Sequence, residues 1–116
     1  MVYVVDNDES VRKALKRLII SADMRAEGFA SMEEFIQSGF QDKPGCLVTD
    51  IDTLGGTGAL KSYLADLRHT MPVIFITAHD NKITREKIAM AGAAAYLPKP
   101  IDDLVFLNAI KKACKC

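Results

Sequence analysis

Short apolar runs that end on a polar residue alternate with amphipathic stretches along the whole chain, and this pattern constrains the fold more than any other feature. The run from Val2 to Val5 is the first, and it stops at Asp6. An apolar run without alternation reads as a strand buried on both faces, as in a parallel sheet. Val11, Leu15, Leu18 and Ile19 follow at i, i+4, i+7 and i+8, one face of a helix that leaves Arg12, Lys13, Lys16 and Arg17 outside. A weaker strand is expected over 25–29, and Ser31 with Glu34 forms the capping box of a short helix through Phe35 and Ile36. The run 46–49 ends at Asp50, and the loop Gly55-Gly56-Thr57-Gly58 leads to a helix carrying Leu60, Tyr63, Leu64 and Leu67. Pro72 opens the β-prone strand 73–77, and a helix over 83–91 is stopped by Gly92. A short strand over 94–97 precedes a last helix, capped by Asp102 or Asp103 and carrying Leu104, Leu107 and Ile110.

Five strands alternating with five helices predict a doubly wound α/β domain, its parallel sheet covered on both faces. The 116 residues suffice for one such domain, spanning 1–116. Lys plus Arg and Asp plus Glu are 15 each, a balance that argues against a nucleic-acid surface spread over it. No run approaches the roughly 20 apolar residues of a membrane span. The N-terminus lacks the basic and apolar regions of a signal peptide, so the expected location is cytoplasmic. Cys46 reads as a buried small hydrophobe, and Cys114-x-Cys116 lacks the spacing and histidine partners of a zinc site. His69 and His79 read as surface residues, and the glycine loop lacks the Gly-Lys-Ser/Thr of a phosphate-binding P-loop.

In doubly wound folds the site lies beyond the carboxyl ends of the strands, where strand order reverses. The first strand ends in Asp6-Asn7-Asp8, the third in Asp50, the fourth in Thr77, and the fifth runs into Lys99-Pro100. A single acid after a strand is often a helix cap, but capping does not account for four such strand ends together. Clustered carboxylates repel unless a cation neutralises them, and Mg²⁺ with one or two carboxylates, water and phosphate is suited to that. A carboxylate beside such an ion can act as a nucleophile and form an aspartyl phosphate. Lys99 and Thr77 are then placed to meet phosphoryl oxygens with a compact charge and a hydroxyl. Positioning and charge neutralisation of this kind supply most of the catalysis in phosphoryl transfer.

These residues, in this order, resemble a CheY-like receiver domain over nearly the full length. Val4-Val5-Asp6-Asn7-Asp8 resembles the family's first acidic motif, and Leu47-Val48-Thr49-Asp50 its phosphoacceptor strand. Ile76-Thr77-Ala78 resembles its switch threonine, and Lys99-Pro100 its lysine before a cis proline. Phe29-Ala30-Ser31 and the segments 72–78 and 89–92 look most like FixJ/NarL-type regulators, whose receivers precede a helix-turn-helix output domain. The resemblance implies a flavodoxin-like sheet of order 2-1-3-4-5. It implies Asp50 as phosphoacceptor, Asp6, Asn7, Asp50 and the backbone carbonyl of Asp52 around Mg²⁺, and Thr77, Tyr96 and Lys99 as phosphoryl-contacting and switch residues. Gly58 matches the family's loop glycine. The implied partners are a sensor histidine kinase and a second copy, met through the face of the fourth helix, fifth strand and fifth helix. DNA would be reached only through an output domain outside this chain, and no membrane is involved. The implied role is signalling rather than enzymatic turnover.

Two departures qualify the resemblance. Asn7 stands where the family usually has a second acid, which predicts weaker Mg²⁺ binding. Asp8, one residue further along an extended chain, would point the other way. Asp52-Thr53-Leu54 stands where a Met-Pro pair is common, and loss of the proline loosens the expected loop. An atypical receiver that acts as an interaction domain without phosphorylation is therefore the first alternative. The second is a haloacid-dehalogenase-type phosphatase, for which Asp50-Ile51-Asp52 would be the nucleophile motif. Its threonine, however, normally lies four residues after the nucleophile, and Thr53 lies three after Asp50.

Overall fold

The computed structural model describes residues 1–38, 45–50, 71–78, 81–90 and 93–113. Strands β1 (Val2–Val5), β2 (Ala26–Phe29), β3 (Cys46–Asp50), β4 (Val73–Thr77) and β5 (Ala95–Pro98) form one sheet. Every pairing is parallel, and the order is β2-β1-β3-β4-β5. Among the described residues the helices are α1 (Glu9–Ser21), α2 (Met32–Gln37), α3 (Lys82–Met90) and α4 (Asp103–Ala113). These last two are the fourth and fifth helices of the sequence reading. The helix expected to carry Leu60, Tyr63, Leu64 and Leu67 lies outside the described residues, as do Gly55 to Gly58, Gly92, both histidines, Cys114 and Cys116. Element ends differ from expectation by about one residue, because terminal turns and strand ends fray.

The unbroken apolar runs are explained by burial on both faces. Side chains alternate across a strand. Val2, Val4, Cys46, Val48, Ile74, Ile76 and Leu97 therefore share one face with Leu15 and Ile19 of α1 and Phe106 and Ile110 of α4. Tyr3, Val5, Leu47, Val73 and Phe75 share the other with Met32 and Phe35 of α2 and Ile88 of α3. Tyr3 and Phe35 pack with ring centroids 5.2 Å apart, and Phe29 meets Phe35 edge-on at 5.5 Å. Each fully buried side chain of this size contributes about 1.5–3 kcal/mol by leaving water. Cys46 is buried in this core, as expected of a small hydrophobe.

Local chemistry fixes where each helix starts. Asp8 caps α1, its carboxylate accepting from the Ser10 and Val11 amides at 2.9 and 3.3 Å. Ser31 caps α2 and accepts from the Glu34 amide. The reciprocal bond of this box reaches the Ala30 amide at 2.9 Å, one residue before the cap. Asp102, not Asp103, caps α4, accepting from the Val105 amide at 3.0 Å. Asn81 caps α3 through the Thr84 amide at 2.9 Å.

Helix α1 closes with a Schellman arrangement. The Met24 amide donates to the Ile19 carbonyl and the Asp23 amide to that of Ile20, with Asp23 at φ 62°. A left-handed aspartate at a helix C-terminus carries both a Cβ penalty and the wrong charge for the helix dipole. Asp23→Gly is expected to raise stability by about 0.5–1 kcal/mol. Urea denaturation should show a higher midpoint at an unchanged slope. An unmoved or lower midpoint would contradict this reading of the turn.

The strand order reverses between β1 and β3, so the crevice that doubly wound folds use opens beyond their carboxyl ends. Register brings the neighbouring ends level. Val5 lies opposite both Phe29 and Thr49, Asp50 opposite Ile76, and Thr77 opposite Pro98.

Candidate functional site

Four polar residues meet at that rim because each ends or follows a central strand. Asp6 follows β1, Asp50 ends β3, Thr77 ends β4 and Lys99 follows β5. Asp6 and Asp50 are 2% and 4% exposed, a degree of burial that acids do not tolerate without compensation, and the Thr77 hydroxyl beside them is on a residue 1% exposed. The Lys99 amide donates to the Thr77 carbonyl at 2.8 Å, which ties the end of β5 to the end of β4. From there its Nζ reaches across to Asp50 and forms a hydrogen-bonded ion pair with Oδ2. The Lys99–Pro100 peptide bond is cis.

Asp6 is held from several sides. Its amide donates to the Phe29 carbonyl at 3.1 Å, and its carbonyl accepts from Nη1 of Arg12 at 2.8 Å. Its Oδ1 accepts from the Asp8 amide at 2.9 Å. Its Oδ2 is buried with no hydrogen-bond partner. Burial pushes the Asp6 carboxyl above the ordinary carboxylate range. The Asp8 amide bond opposes this, the Asp50 charge adds to it, and Lys99 offsets part of it. Two buried carboxylates against one ammonium leave an excess negative charge, with an oxygen of Asp6 lacking a donor. A hard cation with oxygen ligands is the kind of group that would neutralise such a pair. Among the described residues no three His, Cys, Asp or Glu side chains group to hold a metal. A cation here would therefore need amide, carbonyl or water oxygens beside the two carboxylates, as Mg²⁺ commonly has.

The other residues singled out from sequence fall as follows. Asn7 is exposed in the turn between buried Asp6 and the cap Asp8. Asp8 itself is committed to capping α1. Tyr96 is half-buried on β5 opposite Phe75, packed against the core on the α2 and α3 side. Strand alternation puts Thr77 on the same face as Phe75, and so beside that aromatic layer. Asp52, Thr53 and Gly58 lie outside the described residues. Two features escaped the sequence reading. By periodicity Arg12 belongs to the solvent face of its helix, but its side chain turns back to the Asp6 carbonyl. Thr49, adjacent to Asp50, is buried with its hydroxyl unpaired, in a run that reads as uniformly apolar.

Residues 2–111 match the family model described as response regulator receiver domain. The chain is 34% identical over 114 residues to nodulation protein W of Bradyrhizobium diazoefficiens, covering 97% of this chain and 50% of that protein. It is 33% identical over 116 residues to the response regulator protein TmoT of Ectopseudomonas mendocina, covering 99% and 53% respectively. The crystal structure of a response regulator receiver protein from Burkholderia phymatum superposes with a TM-score of 0.81 at 35% identity, covering 97% of this chain and 92% of that one. The chain spans about half the length of the curated relatives it matches.

Proposed function

Because the chain belongs to the response regulator receiver domain family, we propose that Asp50 accepts a phosphoryl group from a sensor histidine kinase. The observation that supports this most directly is the rim itself. A nearly fully buried aspartate is ion-paired to Lys99, beside a second buried aspartate whose Oδ2 lacks a partner. Asp6, Asn7, Asp50 and the backbone carbonyl of Asp52 would hold Mg²⁺. When bound, the ion neutralises charge on the carboxylates and on the incoming phosphoryl oxygens. Asp50 supplies the nucleophilic oxygen, the P–N bond to the kinase's phosphohistidine breaks as the imidazole leaves, and Lys99 exchanges part of its bond with Asp50 for one to a phosphoryl oxygen. The Thr77 hydroxyl donates to another.

Phosphorylation adds charge and acceptor oxygens at the rim. In this reading Thr77 moves towards them, and Tyr96 fills the space beside it. The change is felt on the surface of α3, β5 and α4, where Ile83, Met90, Leu104 and Val105 are all more than half exposed. Apolar side chains on one switching surface favour a partner there, a second copy of the chain being the simplest. Among the described residues no helix is long and apolar enough to cross a membrane. Control of transcription would pass through a DNA-binding domain elsewhere in a longer protein.

Asn7 supports a second reading, an interaction domain that signals without phosphorylation. The two separate on incubation with phosphoramidate or beryllofluoride, with and without Mg²⁺. A Mg²⁺-dependent adduct on Asp50 supports the phosphoacceptor, and a folded domain that forms none supports the interaction domain. Asn7→Asp, by adding a ligand charge, should tighten Mg²⁺ by about tenfold in calorimetric titration. Unchanged affinity would remove Asn7 from the cation site.

A further inference from the structure

We infer that Arg12 is a positioning residue for the acidic rim, and that Gly28 on the edge strand β2 is glycine in order to let it through. The inference rests on the phosphoacceptor reading, since it concerns how that site's first acid is held.

Arg12 lies on the first turns of α1, six residues past Asp6, and is half-buried. Its guanidinium donates to the Asp6 main-chain carbonyl at 2.8 Å rather than pairing with the carboxylate. The bond therefore fixes where the backbone leaves β1, and with it the origin of the Asp6 side chain. The remaining ties on Asp6 come from main-chain amides or carbonyls, supplied by the Phe29 carbonyl and the Asp8 amide. Arg12 alone among these holds Asp6 through a side chain, and its removal leaves the strand-end carbonyl without that donor. The Asp6 oxygen left over, Oδ2, is buried without a hydrogen-bond partner and is the one the proposed cation would use.

To reach Asp6, the stem of Arg12 crosses β2 at Gly28, which pairs with Val4 in the register. A Cβ on Gly28 would lie 3.0 Å from both Cγ and Cδ of Arg12 and 3.0 Å from Cδ of Lys16. That is closer than such contacts normally come, so with an alanine there the stems of Arg12 and Lys16 must give by a few tenths of an ångström. Strand interiors disfavour glycine, and close approach of another group is a recognised reason for one. Gly28 and Arg12 are thus two parts of one support, reaching Asp6 from an element that contributes no site residue.

The test compares Arg12→Ala, Arg12→Lys, Gly28→Ala and the Arg12→Ala/Gly28→Ala double variant with the parent domain. Magnesium affinity is measured by calorimetry, and the Asp8 amide resonance, shifted by its bond to Asp6, is followed by NMR without metal. Arg12→Ala should weaken Mg²⁺ by about tenfold, the scale of lost outer support in metal sites, and Gly28→Ala, which only nudges the stem, should weaken it by less. Both should also move the Asp8 amide in the metal-free protein. The double variant should be no weaker than Arg12→Ala, because it is through the arginine stem, rather than that of Lys16, that the glycine would act on Asp6. Arg12→Lys, which keeps a donor on a shorter stem, should recover part of the affinity. Saturating Mg²⁺ should restore the phosphorylation rate of every variant, so that the apparent metal constant changes and the limiting rate does not. Folded variants with parental Mg²⁺ affinity and an unmoved Asp8 amide would overturn the inference. Additive losses in the double variant would overturn the role of Gly28. A parent domain that binds no Mg²⁺ would instead defeat the cation proposal, and the Asp8 amide would then decide alone whether Arg12 holds the turn.

Discussion

Asp50→Asn should give a folded domain whose phosphorylation by phosphoramidate falls to background. The substitution keeps the shape of the side chain and an oxygen that can accept from Lys99, so the pairing of β3 with β1 and β4 is left in place. An amide oxygen is not a nucleophile for phosphoryl transfer, so no residual rate is expected from this position. The same change removes one of two buried negative charges at the rim, and Mg²⁺ affinity should fall with it. Intact-mass measurement and calorimetry on one sample therefore report both losses. Persistent labelling of Asp50→Asn would place the phosphoryl group on another residue.

Lys99→Ala should have the largest effect on stability in the absence of metal. Its ammonium is the partner of Asp50, and it also offsets part of the upward push on the Asp6 carboxyl. Removing one member of a buried pair typically costs about 3–5 kcal/mol, because the other charge stays buried without compensation. The Lys99 side chain is 28% exposed. Water therefore screens the pair in part, and a loss of about 2–3 kcal/mol is the better expectation. The pH dependence follows from the raised Asp6 carboxyl, which binds its proton more tightly in the folded than in the unfolded chain. The penalty for ionised Asp6 is therefore largest above its folded pKa. It fades as pH falls towards the ordinary aspartate value of about 3.9. Denaturation of parent and variant should converge at acidic pH and differ most at neutral pH. Saturating Mg²⁺ should narrow the neutral gap by supplying the missing positive charge. Equal stability at neutral pH without metal would mean that the pair contributes nothing.

Much of this architecture is written in residue patterning. The unbroken apolar runs at Val2 to Val5 and Val73 to Thr77 signal strands buried on both faces, and both sheet faces are indeed covered. The polar residue ending each run then falls at the carboxyl rim by topology alone, which is why Asp6, Asp50, Thr77 and Lys99 could be named together. The order of strands and the family resemblance reinforce each other, since strand order 2-1-3-4-5 puts β1 and β3 side by side.

What stayed hidden depends on side-chain direction rather than sequence period. Arg12 belongs to the polar face of α1 by periodicity, and nothing in the pattern tells that its long stem folds back over β2 to Asp6. Asp8 is by composition a second acid beside Asp6, yet its spacing before Ser10 and Val11 suits a cap, and capping is where its oxygen goes. The choice between Asp102 and Asp103 turned on which carboxylate meets the amide three residues ahead, a geometric matter that two adjacent acids leave open. Thr49 looks like a strand former by composition, and its unpaired hydroxyl emerges only from the packing around it.

The central claim is that Asp50 is a cation-dependent phosphoacceptor, and intact-mass spectrometry of the domain after incubation with phosphoramidate tests it most directly. The predicted result is a single phosphoryl addition per chain in the presence of Mg²⁺. It should map to Asp50, be absent when the metal is chelated and be absent in Asp50→Asn. A properly folded domain that gains no such mass with Mg²⁺ present, or gains it at another residue, would contradict the account.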